Sequence, residues 1–317
     1  MTQDTQLLGI SNAIVDVLAH IDDDFLDKIG VVKGAMTLID EERAREIYGM
    51  MGPATEMSGG SVANTVANFA NLGGSTSYIG RVKADQLGAI FNHDMRSLGV
   101  DIRLTPGKDG APTARSHVLI TKDGQRTMCT YLGACTELGV ADITTETVGE
   151  PKIMLLEGYV WDLPEGPELA RKAMDIAADN DTAVALSLSD SFCVQRHRES
   201  FEKAVRTGVD IVIADEDEIN ELVQSESFDA TLEAIHDYEC LFAMTRSEKG
   251  SVIVNGDDKV VHKATPVKKL VDTTGAGDAW CAGFLYGWAN DKPLEECARL
   301  GTVCATQVIQ QLGARIE

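Results

Sequence analysis

Short apolar runs recur at residues 152–157, 183–188, 209–214, 240–245 and 250–255, each bounded by helical or turn-rich stretches. Strands of that length, apolar on both faces and alternating with helices, predict a substantially parallel sheet covered on either side, an α/β fold. The opening segment, residues 7–19, reads as a further buried strand that carries Gly9, Asn12 and Asp16 among its apolar positions. The period then changes: after Gly59 and Gly60, the residues Val62, Val66 and Phe69 fall on one face of a helix. Another helix is expected over residues 85–98, with Gly99 as its terminator.

One region breaks this rhythm. Residues 115–120 and 126–133 are two β-like stretches joined by the polar segment 121–125, a hairpin pattern. Together with segments near Val15 and residues 36–39 they predict a small β appendage. The Gly256-Asp-Asp-Lys stretch suggests a second hairpin. No internal repeat, low-complexity tract or long linker divides the chain.

Composition narrows the function classes. A chain of 317 residues, 44% hydrophobic, can form one large core or two unequal domains. Its 50 acidic and 28 basic side chains leave a formal charge of -22, which disfavours nucleic-acid and anionic-membrane partners. An anionic substrate would therefore need a local positive field made by backbone N–H groups, a metal or a few basic residues. The start of the chain lacks a basic stretch followed by a long apolar one, so a cytoplasmic protein is expected. Seven scattered cysteines show neither metal-site spacing nor a disulfide framework and are expected to be buried small hydrophobes.

The sharpest chemical signal is Val271-Asp-Thr-Thr-Gly-Ala-Gly-Asp-Ala-Trp. The small residues Gly275, Ala276 and Gly277 let backbone amides approach an anion, while the following segment starts a helix whose positive end faces the same spot. Asp278 at that helix start is either an N-cap or a general base for an alcohol, and its place beside the anion nest favours the base. No Gly-x-x-x-x-Gly-Lys-Ser/Thr segment is present, so this is not a Walker-type loop.

The early Gly-Gly-Ser-Val-Ala-Asn element and the later Asp-Thr-Thr-Gly-Ala-Gly-Asp signature occur in one order, and nearly the whole chain resembles the ribokinase-like, or PfkB-type, carbohydrate and nucleoside kinases, especially their adenosine-kinase-like branch. The resemblance implies a ribokinase-like unit across residues 1–317, with a β-rich lid from approximately 13–19, 35–40 and 113–133. It implies transfer of the γ-phosphoryl group of ATP to a hydroxyl, with Asp278 as base and Gly275, Ala276 and Gly277 as the anion hole. For the acceptor it points to Asn12, Asp16, Gly59, Gly60 and Asn64, which otherwise read as Asx caps and a tight turn. Met36, Leu38, Tyr131, Leu132 and Trp161 are candidates for a base-side surface, with Tyr131 stacking on a purine, although each also reads as core.

On the nucleotide side, residues 214–220 resemble the family's Asn-x-x-Glu magnesium motif, with Asp215 in place of Asn and Glu218 as the Glu. Glu157 is a weaker candidate for the same Mg2+. Thr245, Gly250, Lys268 and Cys304 are expected near ATP, as are Arg246 and Lys249; a monovalent cation such as K+ is possible at Asp272 and Thr274. The first acceptor is the 5′-hydroxyl of adenosine; ribose, fructose or a sugar acid is the alternative, and an inactive nucleotide-binding protein is a further one. Either a monomer or a homodimer is compatible with the sequence.

Overall fold

In the computed structural model, described for residues 5–267 and 269–316, the strands are β1 (Leu7–Ile10), β2 (Ile14–His20), β3 (Met36–Leu38), β4 (Thr55–Gly59), β5 (Thr76–Ile79), β6 (Asp101–Ile102) and β7 (Ala114–Ile120), then β8 (Arg126–Tyr131), β9 (Ile153–Glu157), β10 (Ala183–Ser187), β11 (Ile211–Asp215), β12 (Leu241–Thr245), β13 (Ser251–Asn255) and β14 (Asp258–His262). They form two sheets. The larger runs β14-β13-β12-β11-β10-β9-β1-β5-β6, and the smaller runs β3-β8-β7-β2-β4. From β12 to β6 the large sheet is parallel; β13 and β14 close one edge as an antiparallel hairpin. Residues 250–255, read as one more strand of a parallel series, thus run against their neighbour, because only the short turn 246–250 separates them from β12.

Helices cover both faces: α1 (Asp23–Ile29), α2 (Glu41–Met50), α3 (Ser61–Asn71), α4 (Gln86–Ser97), α5 (Thr145–Val148) and α6 (Gly166–Asp179), followed by α7 (Ser191–Thr207), α8 (Glu216–Val223), α9 (Phe228–Ala234), α10 (Ala276–Ala289) and α11 (Leu294–Val308). One core layer holds Leu8, Met154, Leu156 and Leu186 against Leu169, Phe201 and Ile219; the other holds Leu7, Leu155 and Ile213 against Val62, Phe69 and Phe284. Alternate residues of each strand therefore serve opposite layers, the arrangement expected of a sheet buried on both sides. All seven cysteines are buried and unpaired, as the scattered spacing suggested. Among the described residues no helix is long and apolar enough to cross a membrane.

The largest departure from the sequence pattern lies at the beginning. Residues 7–19 are not one strand: β1 belongs to the large sheet and β2 to the small one, with Ser11–Ala13 between them. Only the polar pair Ser11 and Asn12 interrupts the apolar run at the switch. Its cause is tertiary, since the Asn12 N–H donates to the buried Glu157 carboxylate at 3.0 Å and turns the chain there. The small sheet also includes β4, a short polar strand that pairs with β2 from Ile14↔Gly59 to Leu18↔Thr55.

Candidate active site

Asp278 lies in the first turn of α10, whose N-cap Gly275 has φ 73°, a left-handed conformation that suits glycine. A side chain at Gly275 would also meet Ala314, its Cβ lying 2.4 Å from the alanine Cβ. Ala276 donates its N–H back to Thr273 at 3.2 Å, whereas the N–H groups of Gly275 and Gly277 have no acceptor among the described residues. The anion nest is thus narrower than the three successive amides expected from sequence. Ser61 Oγ donates to Asp278 Oδ1 at 2.7 Å, and Asn64 Nδ2 donates to Asp278 Oδ2 at 3.2 Å. Both donors sit on one face of α3, a turn apart, and fix the plane of the carboxylate. Burial raises the Asp278 pKa to about 6, against the lowering effect of those two hydrogen bonds and of Arg315. An aspartate poised there is ionised at neutral pH yet basic enough to take a hydroxyl proton. Ser61 was not singled out from sequence; its signal is a hydroxyl directly after the Gly-Gly turn and one turn before Asn64.

On the acceptor side, Asp16 of β2 faces the same spot. The missing side chain at Gly59 makes room for it, because a Cβ there would lie 2.3 Å from Asp16 Oδ2. Gly60 has φ 99° and turns the chain from β4 into α3 beside the Asn12 carbonyl. Asn12 is 4% exposed and its side-chain Oδ1 has no partner, an orphaned acceptor beside this turn. Burial raises the Asp16 pKa to about 6, opposed first by Arg315 and then by Arg126. Met36 and Leu38 are 46% and 60% exposed, and register pairs them with Met128 and Thr130 of β8. Thr130 in turn bonds Ser116, whose register partner on β2 is Asp16. Strand alternation therefore puts these open apolar side chains on the sheet face that carries Asp16.

Two of the other base-side candidates differ. Tyr131 lines a 200 Å³ cavity with Leu38, Thr130 and Leu132, and Arg115 stands 5.8 Å over its ring. Trp161 is 2% exposed, packs on Phe201 at 4.8 Å and donates to Ser200, so it belongs to the core. Glu157 accepts from the N–H groups of Asn12 at 3.0 Å and Val62 at 3.3 Å. Its position beneath the acceptor turn makes it an organiser of that turn, and burial raises its pKa to about 7.

On the nucleotide side, Asp215 and Glu218 form a reciprocal capping box at the start of α8, each carboxylate accepting the other residue's N–H at 2.8 Å. Asp and Asn serve this N-cap alike, so the departure from the family's Asn keeps the local geometry and adds a charge. Partial burial, followed by the Asp215 charge, raises the Glu218 pKa to about 8. Thr245 pairs in register with Asp215, which brings the two together at the same edge of the large sheet. Gly250 packs where a Cβ would lie 2.0 Å from the His262 carbonyl, a steric requirement of the turn. Arg246 and Lys249 are both engaged by Glu216, at 2.9 Å and 3.2 Å, and Arg246 lies over the Phe228 ring. Cys304 is 3% exposed and packs with Ala279 and Val308, and burial raises its pKa to about 11, so it is a packing residue rather than a nucleotide contact. Lys268 lies outside the described residues.

Among the described residues no three His, Cys, Asp or Glu side chains gather into a metal cage. The Asp215–Glu218 pair nevertheless fits Mg2+ that arrives on nucleotide phosphates, since that ion keeps its waters and needs only one or two carboxylates. The monovalent-cation expectation at Asp272 fares differently. Asp272 Oδ1 accepts from Thr274 N at 3.0 Å, and Oδ2 accepts from Gly313 N at 3.1 Å and is paired with Arg126. Both side chains of this pair are buried, 9% and 4% exposed. With both carboxylate oxygens engaged and a guanidinium already in place, the Asp272 side chain does not fit a K+ ion. Arg126, the first residue of β8, bridges the small sheet to the loop before the anion nest.

A buried aspartate held at the N-terminus of a helix, beside free backbone amides and a hydroxyl-binding turn, defines an ATP-dependent phosphotransferase that acts on an alcohol, built on a ribokinase-like fold. Residues 31–317 match the pfkB family carbohydrate kinases, and the chain belongs to that family. Adenosine kinase from Sinorhizobium meliloti is similar in structure, with a TM-score of 0.91 and 47% identity over 99% of this chain and 96% of that one. A probable sugar kinase from Rhizobium etli CFN 42 also has a TM-score of 0.91, with 45% identity over 99% and 96% of the two chains. Adenosine kinase 2 of Arabidopsis thaliana is 27% identical over 97% of this chain and 94% of its own length.

Proposed function

We propose that this protein transfers the γ-phosphoryl group of ATP to the 5′-hydroxyl of adenosine. The observation that carries the reading is the Asp278 carboxylate, held by Ser61 and Asn64 under the unpaired amides of Gly275 and Gly277. Asp278 takes the proton of the attacking hydroxyl, and the amides with the α10 dipole stabilise charge on the transferring phosphoryl group. Asp16 and the orphaned Asn12 Oδ1 accept hydrogen bonds from the ribose hydroxyls, while Gly59 and Gly60 let the sugar approach the backbone. The exposed Met36 and Leu38 on the Asp16 face support a purine rather than a free sugar, because a small polyol has no apolar surface to cover them. Thr245 and the Asp215–Glu218 pair line the nucleotide side, where Mg2+ bound with ATP supplies charge neutralisation.

The small sheet acts as a lid over the acceptor, tied to the catalytic loop through Arg126 and Asp272. ATP use and seven unpaired thiols support a cytoplasmic setting. The second reading, a sugar kinase, draws on the likeness to the probable sugar kinase of Rhizobium etli. Mass-resolved product formation with Mg-ATP across adenosine, inosine, ribose and fructose separates the two. AMP as the main product is expected; phosphorylation of a free sugar alone would overturn the adenosine assignment.

A further inference from the structure

The segment Gly313, Ala314, Arg315 and Ile316 passes directly behind the active site. Asn68 of α3, fully buried, grips it from both sides: Oδ1 accepts from Ile316 N at 2.8 Å and Nδ2 donates to the Ala314 carbonyl at 2.9 Å. Asn71 donates to the Ile316 carbonyl at 2.7 Å. Gly313 donates to Asp272, and Ala314 presses on the nest residue Gly275. Held this way, the Arg315 side chain is delivered inward, and its Nη2 donates to the Ser58 carbonyl at 2.5 Å. The other side of the same residue is fixed too, since Ser58 N donates to Asp94 Oδ2 at 2.9 Å. Ser58 immediately precedes Gly59 and Gly60. The Arg315 Nε is buried without a hydrogen-bond partner, so the guanidinium keeps donor capacity beyond its bond to Ser58.

We propose that Arg315 is a positioning residue for the phosphoryl transfer: it holds the Ser58–Gly59–Gly60 turn at the acceptor and sets its cationic head behind the Asp16 and Asp278 carboxylates. This rests on the kinase reading above. Arg315 lowers the pKa of both aspartates against burial, while Asp16, Asp94 and Asp278 act on Arg315 in return. The other groups that face Asp278 are Asp16 of β2, Glu157 of β9 and Cys281 of α10; Arg126 of β8 reaches Asp16. Loss of the guanidinium leaves an acidic pair with Arg126 alone on one side, so both carboxylates protonate at higher pH.

The test compares the parent enzyme with Arg315→Ala and Arg315→Lys. Arg315→Ala is expected to lose on the order of 10²-fold in kcat/KM for adenosine, as a displaced acceptor turn implies, with the acidic limb of its pH profile moved upward. Arg315→Lys keeps the charge without the fork, so its acidic limb stays near the parent's while the acceptor KM rises. If the alanine variant does not fold, the lysine variant decides: an unchanged KM overturns the proposal. A profile for Arg315→Ala that superimposes on the parent's, with loss only of thermal stability, overturns it as well. A readout free of turnover is the carboxyl 13C titration of Asp278, assigned by its disappearance in Asp278→Asn. An identical titration in parent and Arg315→Ala sinks the positioning role, whereas absence of AMP from the parent sinks the adenosine reading alone.

Discussion

On the acceptor side, Asp16, Glu157 and Asp278 converge from β2, β9 and α10, and Glu157 and Asp278 are held by groups from a different part of the chain. On the nucleotide side, Asp215 and Glu218 occupy one helix turn and cap each other, while Arg246 and Lys249 are spent on Glu216. The first set draws its partners from distant segments; the second is satisfied within one helix start. The contrast indicates where the fold stores its chemical potential. Carboxylates crowded out of water have raised pKa values on both sides, Glu218 included, but on the nucleotide side the capping box also holds a helix end.

The largest test of that contrast is Asp278→Asn. Turnover should fall by about 10²–10⁴-fold, the usual worth of a general base, and parent activity should decline as pH drops below about 6, where Asp278 takes up its proton. Stability should respond in the opposite sense. The folded pKa of Asp278 is raised from 3.8 to about 6, so the native state binds more protons than the unfolded chain in that window. Its contribution to stability is full below the unfolded value and is lost as pH rises through the folded one. Melting curves should therefore show Asp278→Asn gaining on the parent as pH goes from 5 to 8; a constant difference would contradict the burial argument.

Gly59→Ala is next. The added methyl displaces the Asp16 carboxylate, and the acceptor KM should rise roughly tenfold, about 1.4 kcal/mol, with little change in the KM for ATP. On the other side, Asp215→Ala removes one arm of the capping box and should cost about 1 kcal/mol of unfolding free energy. Asp215→Asn keeps the cap and should cost close to nothing while lowering the Glu218 pKa, since the Asp215 charge is one of its two main causes. Equal losses from both variants in chemical denaturation would show that charge, not capping, is the role of Asp215. The smallest effect concerns K+: replacing KCl by choline chloride at fixed ionic strength should leave kcat/KM unchanged, because Arg126 already occupies the Asp272 carboxylate.

Much of this site was legible in the sequence, for identifiable reasons. Gly275, Gly59 and Gly60 announce close backbone approach, and Asp278 and Asn64 sit at helix positions that follow directly from those glycines. The parallel sheet was legible because its strands are apolar on both faces. What stayed hidden depends on contacts between distant segments. Nothing in the sequence marks the roles of Arg126 and Arg315, which become visible only where Asp272, Ser58 and the asparagines of α3 hold them or their neighbours. Cys304 and Trp161 were placed near ligands by their position along the chain, yet helix and core packing takes them up. The division of residues 7–19 between two sheets is marked only by Ser11 and Asn12 and by the change from a fully buried β1 to a β2 buried on alternate residues. A chain with charge -22 also hides which cations matter: among the described residues, Arg315 and Arg126, far apart in sequence, both bear on the Asp16 carboxylate.

The passage from β1 to β2 through Ser11–Ala13, and the return from β4 to α3 through Gly59 and Gly60, are two of the places where the backbone crosses from one sheet to the other. Any rocking of the small sheet must be taken up in part at those crossings. Asn12, Gly59 and Gly60, the residues proposed to meet the acceptor, lie at these same two crossings, so on that proposal a bound acceptor would bridge the joint between the two sheets.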